Sequence, residues 1–275
     1  MSNEPILVIG ATGKTGSRVA AKLEAKGFSV RHGARRSETR FDWEDQSTWK
    51  TILSGVSKAY VTYFPDLAFP GAIEKLEAFA QVALDSGLQH IVLLSGRGEH
   101  FASMGEEVIR NSGLGFTIVR SAWFAQNFSE GYLRDPILDG VLPMPGGDVE
   151  EPIIDIDDIA DVVVAALTEG GHLGKRYEVT GPRLMTFAEM AEVLTETLGR
   201  PIQHLPISFE DFHANVAASG DTFVADVFTA IARETLDGRN AYTADGVERA
   251  LGRKPRGFVE FAQPAMTTGA WPSAA

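Results

Sequence analysis

The chain has 275 residues, of which 44% are apolar, and a formal net charge of −12 at pH 7. This acidic balance argues against a nucleic-acid surface, because phosphate neutralisation needs clustered Lys and Arg. The absence of cysteine rules out disulfides and thiolate metal sites, which suits a reducing cytosol. No apolar run reaches about 18 residues, and the first strand begins too early for a signal peptide. We therefore expect a cytoplasmic protein with no nucleic-acid or membrane partner.

The segment from Ile6 to Gly16, ILVIGATGKTG, predicts a strand, a glycine turn and the start of a helix. This order of elements binds the pyrophosphate of a dinucleotide. We expect Gly10 to permit the turn, Gly13 to let the backbone approach a phosphate, and Gly16 to let the helix pack on the strand. The helix start would add unpaired N–H groups and a partial positive charge. The predicted cofactor contacts in this loop are Gly10, Thr12, Gly13, Lys14, Thr15 and Gly16.

The glycine spacing, G-x-x-G-x-x-G, leaves two other interpretations. A glycine-rich turn in some other α/β protein would have the same composition. The letters GKT within the loop also resemble a P-loop, but that motif needs glycine at position 8, where the chain has Val8. Nucleotide hydrolysis is therefore disfavoured.

Strand and helix patterns alternate along the first two thirds of the chain. Helices are predicted between most of the strands, and Asp157 or Asp158 is expected to cap the helix that follows the seventh strand. Beyond Thr186 and Glu189, which form a capping box, the pattern is mostly helical. The predicted strands are 6–9, 28–34, 40–43, 58–64, 91–95, 116–120, 152–156 and 176–180.

These elements predict an α/β fold, with a Rossmann-type doubly wound parallel sheet and a smaller, mostly helical C-terminal substrate lobe. The dinucleotide-binding core would occupy 1–125 and be completed by 152–182. The substrate-binding lobe would consist of 126–151 and 183–275. A small-molecule substrate would bind in the cleft between the two.

The residues after the second and third strands bear on the choice of cofactor. Arg35 and Arg36 stand near where an NAD site would carry an acid, so they favour the 2′-phosphate of NADP(H). Lys14 could reach the same phosphate or point at water, and the two arginines could instead belong to a solvated loop. Asp42 and Trp43 are candidates for contact with adenine, or else a turn cap and a core residue.

The ends of later strands supply candidates for the nicotinamide and acceptor. Thr62 and Tyr63 leave the C-terminal end of the fourth strand, so they are assigned to the cofactor cleft. Ser95 would bond the cofactor ribose or the substrate, and it shares the role of catalytic candidate with His100, whose imidazole titrates near neutral pH. A surface histidine is the alternative for His100. The predicted substrate contacts are Phe64, Arg97, Trp123, Phe124 and Asn127, of which the aromatic ones suit a flat acceptor or else seal the lobe.

The remaining histidines and a pair of adjacent acids suggest no further chemistry. The histidines show no ligand spacing with acids, so no metal is predicted. Glu106 and Glu107 are interpreted as the surface of a helix.

Six stretches of the chain resemble the NmrA-like atypical short-chain dehydrogenases: GATGKTG, Arg35, LLSGRGE, SGLGFTIVRSAWFAQNF, GHLGKRYEVTGP and GRKPRGFVEFA. Within that group, GKT, RFDW and KPRGF are most similar to the agroclavine and festuclavine dehydrogenases. Quinone and triphenylmethane dye reductases are more distant relatives. The resemblance implies a Rossmann core, NADPH binding and hydride transfer to a small conjugated or iminium-type acceptor.

One motif of ordinary short-chain dehydrogenases is missing. They carry Tyr-x-x-x-Lys on the helix after the fifth strand, where this chain reads EHFASMGEEVIR. Reduction of a ketone needs a proton donor for the developing alkoxide, whereas an iminium or a quinone is already electrophilic. The sequence therefore leaves two functions open: an oxidoreductase for activated acceptors, or a non-catalytic NADP(H)-binding sensor. We expect a monomer or a homodimer.

Overall fold

The computed structural model describes residues 4–218 and 222–271. No helix among these residues is both long and apolar enough to cross a membrane. The strands in chain order are β1 (Ile6–Ile9), β2 (Val30–Gly33), β3 (Lys58–Val61), β4 (His90–Gly96), β5 (Gly115–Ser121), β6 (Val141–Met144), β7 (Lys175–Val179) and β8 (Gln203–Pro206). The helices are α1 (Lys14–Ala25), α2 (Trp49–Leu53), α3 (Ala72–Asp85), α4 (His100–Asn111), α5 (Asn127–Glu130), α6 (Arg134–Leu138), α7 (Ile156–Thr168), α8 (Phe187–Leu198), α9 (Phe209–Ala218), α10 (Thr222–Thr235), α11 (Gly246–Leu251) and α12 (Phe258–Thr267).

The main sheet is parallel throughout, in the order β2-β1-β3-β4-β5-β7. The strand order reverses at β1, which pairs with β2 on one side and with β3 on the other. Open α/β sheets bind their ligands outside the C-terminal strand ends at such a switch point. The prediction of a Rossmann-type parallel sheet is confirmed, and the switch point lies between Gly10, after β1, and Thr62, after β3.

Both faces of the sheet are covered, which is why its strands are continuous apolar runs. One buried cluster joins the sheet to α2, α3 and α4. A second joins the opposite face to α1, α7 and α11. The first turn of α1 and the end of β4 therefore each lie beside one of these buried clusters.

A third cluster forms the core of the lobe and joins α5, α6, α8, α9 and α12. The lobe also contains β6 and β8, which pair as a two-stranded parallel sheet that the sequence did not predict. The capping box of α8 is confirmed, because the Thr186 hydroxyl accepts from the Glu189 N–H while the Glu189 carboxylate accepts from the Thr186 N–H. Parts of the predicted domain ranges, namely 1–3, 219–221 and 272–275, lie outside the described residues.

The predicted strand over 40–43 is wrong. Its pairing is reduced to one bridge between Ala34 and Arg40. Phe41 and Trp43 instead turn into the first cluster, with their rings 5.0 Å apart and nearly perpendicular. The Asp42 carbonyl accepts from the Trp49 indole N–H at 2.8 Å. Side-chain packing therefore replaces the ladder that a strand would need.

Two expectations around α7 are also wrong. The predicted strand over 152–156 is reduced to isolated bridges, Ile154 with Phe124 and Glu151 with Met185. The cap of α7 is Asp155, not Asp157 or Asp158, and its carboxylate accepts from the Asp157 N–H at 2.8 Å. The helix begins earlier than expected because Ile156 is buried in the second cluster.

Candidate cofactor and acceptor site

The loop after β1 is closed so tightly that two of its residues must be glycine. Gly10 has φ +74°, and a Cβ there would overlap the Thr62 side chain. A Cβ on Gly16 would overlap the Gly10 carbonyl, which also accepts from the Gly13 N–H at 2.8 Å. This backbone fold leaves a cradle at the start of α1 with no side chain in the way.

The N-terminus of α1 is free to receive an anion. Gly13 is the N-cap, no side chain caps the helix, and its first turn contains no acid. Thr12 is exposed, whereas Thr15 is buried and its hydroxyl accepts from the Tyr60 hydroxyl at 2.8 Å. The unpaired N–H groups and the helix dipole together suit a pyrophosphate.

Lys14 contacts the lobe rather than water. Its ammonium donates to Asn127 Oδ1 at 2.8 Å, so this predicted cofactor residue and this predicted substrate residue lie together. Burial lowers the pKa of Lys14. One turn later, Arg18 pairs with Glu130. These two contacts attach the start of α1 to α5.

The two arginines after β2 are exposed, and neither forms an ion pair with any of the described residues. The Arg35 guanidinium lies 5.6 Å from the centroid of the Phe64 ring. Phe64 is 67% exposed. The pair forms an open, cationic and aromatic edge beside the ends of β2 and β3, where a phosphate and a flat ring can both bind.

Asp42, Trp43 and Tyr63 are less accessible than the sequence suggested. Trp43 and Tyr63 are buried with ring centroids 4.8 Å apart, and the Trp43 indole N–H donates to the Thr62 carbonyl at 3.3 Å. The Asp42 carboxylate accepts from Arg40 at 2.9 Å and from the Glu44 N–H at 3.1 Å. Burial alone would raise the pKa of Asp42, but these two donors outweigh it and lower the pKa.

Ser95 is buried at the end of β4 and belongs to a closed triad. Its hydroxyl donates to Glu106 Oε1 at 2.7 Å, and the Arg120 Nε donates to the same oxygen at 2.7 Å. Glu106 is only 2% exposed, so its interpretation as helix surface is wrong, whereas Glu107 is 60% exposed. The hydrogen bonds that Arg120 donates to Glu106 raise the pKa of Arg120 despite partial burial.

Arg97 lies two residues further and is completely enclosed. Its Nε donates to Glu178 at 2.7 Å, and its terminal nitrogens donate to the carbonyls of Asn240 at 2.8 Å and Tyr242 at 2.6 Å. The guanidinium carbon also lies 3.8 Å from the centroid of the Tyr242 ring. Every nitrogen of this predicted substrate contact is therefore engaged within the protein.

The other predicted acceptor residues lie on the border with the lobe. His100 is exposed at the first turn of α4, and its backbone N–H donates to Glu234 at 3.2 Å. The Trp123 indole donates to the Thr235 hydroxyl at 3.1 Å. Phe124 is half-buried against the second cluster. Among the described residues, no three His, Asp or Glu side chains are grouped in a way that could hold a metal ion.

Comparison with known protein families identifies the family to which the chain belongs. The model of the NmrA-like family matches residues 2–262. The chain belongs to the NmrA-like family.

Two similar proteins and one solved structure of the same fold illustrate what the chain is similar to. Festuclavine synthase I of Penicillium roqueforti is 30% identical, and the match covers 94% of this chain and 97% of the relative. An NAD(P)H azoreductase of Xenophilus azovorans is also 30% identical, over 94% of this chain and 96% of its own. The triphenylmethane reductase of Citrobacter sp., solved with NADP(H), superposes with a TM-score of 0.75 at 23% identity, covering 95% of this chain and 99% of that one.

The sequence patterns did not point to two carboxyl groups of this NmrA-like chain, those of Asp66 and Glu99. Asp66 follows the end of β3, and Glu99 is the N-cap residue of α4 just beyond β4. A Cβ on Gly96 would overlap the Glu99 carboxyl group, which therefore lies directly over the C-terminal end of β4. The available signal was the position of an acid shortly after each of two strands, in FPD and in GRGE.

Proposed function

We propose that this NmrA-like protein is an NADPH-dependent oxidoreductase that transfers hydride to a small conjugated acceptor of the iminium or quinone type. The proposal depends on how residues are arranged at the C-terminal edge of the main sheet. There the uncapped start of α1 follows a glycine cradle, and two exposed arginines without an acidic partner among the described residues stand one strand away. The likeness to an NAD(P)H azoreductase supports the same class of reaction.

In this proposal the chain holds the cofactor at two places. The N–H groups at the start of α1 bind the pyrophosphate, with Gly10, Gly13 and Gly16 keeping the approach open. Arg35 and Arg36 bind the 2′-phosphate, since a guanidinium matches a phosphate with paired donors. Phe64 contacts Arg35. We therefore assign it to the binding of the cofactor's adenosine as well as to the substrate contacts. When bound, NADPH supplies the hydride.

The type of acceptor that we propose follows from two residue types that are missing from α4. The helix reads HFASMGEEVIRN and contains neither Tyr nor Lys. An acceptor that is already electrophilic needs no such pair for the hydride step, so positioning against the nicotinamide dominates. Trp123 and Asn127, on the lobe side, are the candidate surfaces for that positioning, with 126–151 and 183–275 as the substrate-binding lobe.

The test is NADPH oxidation against quinones, cationic triphenylmethane dyes and cyclic iminium compounds, with calorimetry of NADPH and NADP⁺ in parallel. Turnover with at least one acceptor class is expected. Tight binding of both cofactor forms without turnover would instead favour the sensor function. Absence of any pyridine-nucleotide binding would overturn both.

A further inference from the structure

The carboxyl group of Glu99 occupies an unusual position at the acceptor end of the sheet. It lies over Gly96, where any side chain would overlap it. Glu99 is half-buried, and its carboxyl group has no hydrogen-bond partner among residues 4–218 and 222–271. It borders a cavity of about 370 Å³ at the C-terminal ends of β4, β5 and β7. A carboxyl group that is partly removed from water and has no donor beside it favours its neutral form, and the cavity leaves it open to a ligand.

The groups that face Glu99 come from three elements. Asp66 approaches from the loop after β3, and its carboxylate accepts from the Ala68 N–H at 2.8 Å. Glu234 approaches from the end of α10, and it accepts from the His100 N–H at 3.2 Å. Arg239 lies 3.5 Å from Glu234 and donates to the Gly98 carbonyl at 3.3 Å. Its main partner is Asp237, at 2.8 Å. Arg97 and Arg120 also line the cavity, but each is paired with its own acid, Glu178 or Glu106. The charges that act on Glu99 are those of Asp66 and Glu234, and both are negative.

These surroundings favour the protonated acid. Burial raises the pKa of Glu99 well above its ordinary value, and the charges of Asp66 and Glu234 raise it further. Burial also raises the pKa of Asp66. Two carboxyl groups that interact this closely titrate as a pair and hold one proton between them when both cannot ionise.

We propose that Glu99 delivers the proton that a reduced quinone or azo acceptor takes up, and that Asp66 is the positioning residue that keeps this proton on Glu99. The proposal rests on the proposed function, because it concerns the same acceptor. It gives the chain a proton source at the end of β4, in place of the phenol that α4 lacks.

The step balances without any further reactant. NADPH gives two electrons and one hydrogen to the acceptor as hydride and becomes NADP⁺. The hydride forms a bond to the acceptor, and the resulting oxygen or nitrogen anion takes the proton from the Glu99 O–H. The carboxylate that remains is reprotonated from water through the bordering cavity. A cationic triphenylmethane dye or an iminium ion becomes neutral on accepting hydride, so it needs no such proton.

This difference between acceptors supplies the first test. Glu99→Gln keeps the size of the side chain but removes the transferable proton, so kcat with a quinone should fall by about 100-fold. The ratio of quinone kcat to dye kcat should therefore fall at least tenfold. Glu107→Gln, on the exposed face of the same helix, is the matched control and should leave the ratio unchanged. An equal loss of kcat with both acceptors would overturn the proposal.

A second test addresses the role of Asp66. Quinone reduction should decline as pH rises through the pKa of the pair, because the donor is then lost. Asp66→Asn removes the like charge, so this decline should move to lower pH, whereas an unmoved profile would overturn the positioning role. Infrared spectra of the cofactor-free protein at neutral pH provide a readout without turnover, in a Glu151→Gln background because burial raises the pKa of Glu151 to about 7 and its acid would absorb in the same band. Adding Glu99→Gln should remove intensity from the protonated-carboxyl band, and an unchanged band would contradict the assignment.

The two levels of failure are distinguishable. Wild-type protein that binds NADPH but reduces no acceptor contradicts the proposed function. Wild-type protein that reduces quinones, combined with a Glu99→Gln variant of unchanged quinone-to-dye ratio and unchanged NADPH affinity, contradicts the proton-donor role alone.

Discussion

At the scale of single residues, we expect the choice between NADPH and NADH to depend on two side chains. Arg35 and Arg36 are exposed and have no ion-pair partner among the described residues, so each can give its donors to a phosphate. A hydrogen bond to a charged group contributes about 1.5–3 kcal/mol. If each arginine gives one such bond, replacing both with Ala should weaken NADPH binding by about 3–6 kcal/mol, or roughly 100- to 10,000-fold, and NADH binding far less.

Calorimetric titration of both cofactors measures this difference directly. Arg110→Ala is a suitable control, because Arg110 is an exposed arginine that pairs with Glu107 on α4. Parallel weakening of NADPH and NADH would remove the assignment of the 2′-phosphate.

A second prediction at this scale concerns Gly16 and the shape of the glycine loop rather than its charge. A Cβ at Gly16 would overlap backbone atoms of Gly10, which cannot rotate away as a side chain would. Gly16→Ala should therefore lower the free energy of unfolding by about 1–3 kcal/mol and weaken NADPH binding. Gly170→Ala, where the Cβ would meet nothing within 4 Å, is the control and should change neither. Normal NADPH affinity in Gly16→Ala would mean that the loop is not the cradle.

At the scale of elements, Arg97 joins the end of β4 to β7 and to the segment after α10. Its side chain contacts Glu178 on β7 and the backbone carbonyls of Asn240 and Tyr242 in the segment after α10. Breaking a buried ion pair by removing one partner costs about 3–5 kcal/mol. Arg97→Met should lower the unfolding free energy by that amount, as measured by denaturant titration.

The same variant distinguishes a structural role from substrate contact. If Arg97 only holds these elements together, the KM for the acceptor should stay the same in the fraction that is folded. A large rise in KM with unchanged stability would restore the substrate role that the sequence suggested.

Local patterns were enough to predict the elements whose residues contact their own neighbours. The glycine loop, the apolar strands and the Thr186–Glu189 box were of this kind, because the deciding contacts span only a few residues. The predicted strand over 40–43 failed because Trp43 and Trp49 pack into a cluster built from distant helices. The pairing of β6 with β8 and the closeness of Asp66 to Glu99 could not be predicted from the sequence for the same reason. Each depends on strands or loops that the fold brings together across a long stretch of chain.

At the scale of the whole molecule, one buried acid links stability to pH. Glu151 lies between the main sheet and the lobe, where its backbone pairs with Met185. It is 0% exposed, and neither carboxylate oxygen has a hydrogen-bond partner among the described residues. Burial raises its pKa from 4.5 to about 7, with Arg97 lowering it and Asp237 raising it by smaller amounts.

The sign of the effect follows from which state binds the proton. Because the pKa is higher in the folded state, the folded protein keeps a proton that the unfolded chain releases between pH 4.5 and about 7. The unfolding free energy therefore falls as pH rises through this window, by about 3 kcal/mol in total at 1.36 kcal/mol per pKa unit. Glu151→Gln, which stays neutral, should match the wild type below the window and exceed its stability above it. Denaturant titrations at several pH values measure the difference, with Glu150→Gln as the exposed neighbouring control; a constant difference between Glu151→Gln and the wild type at all pH values would show that Glu151 does not hold the proton.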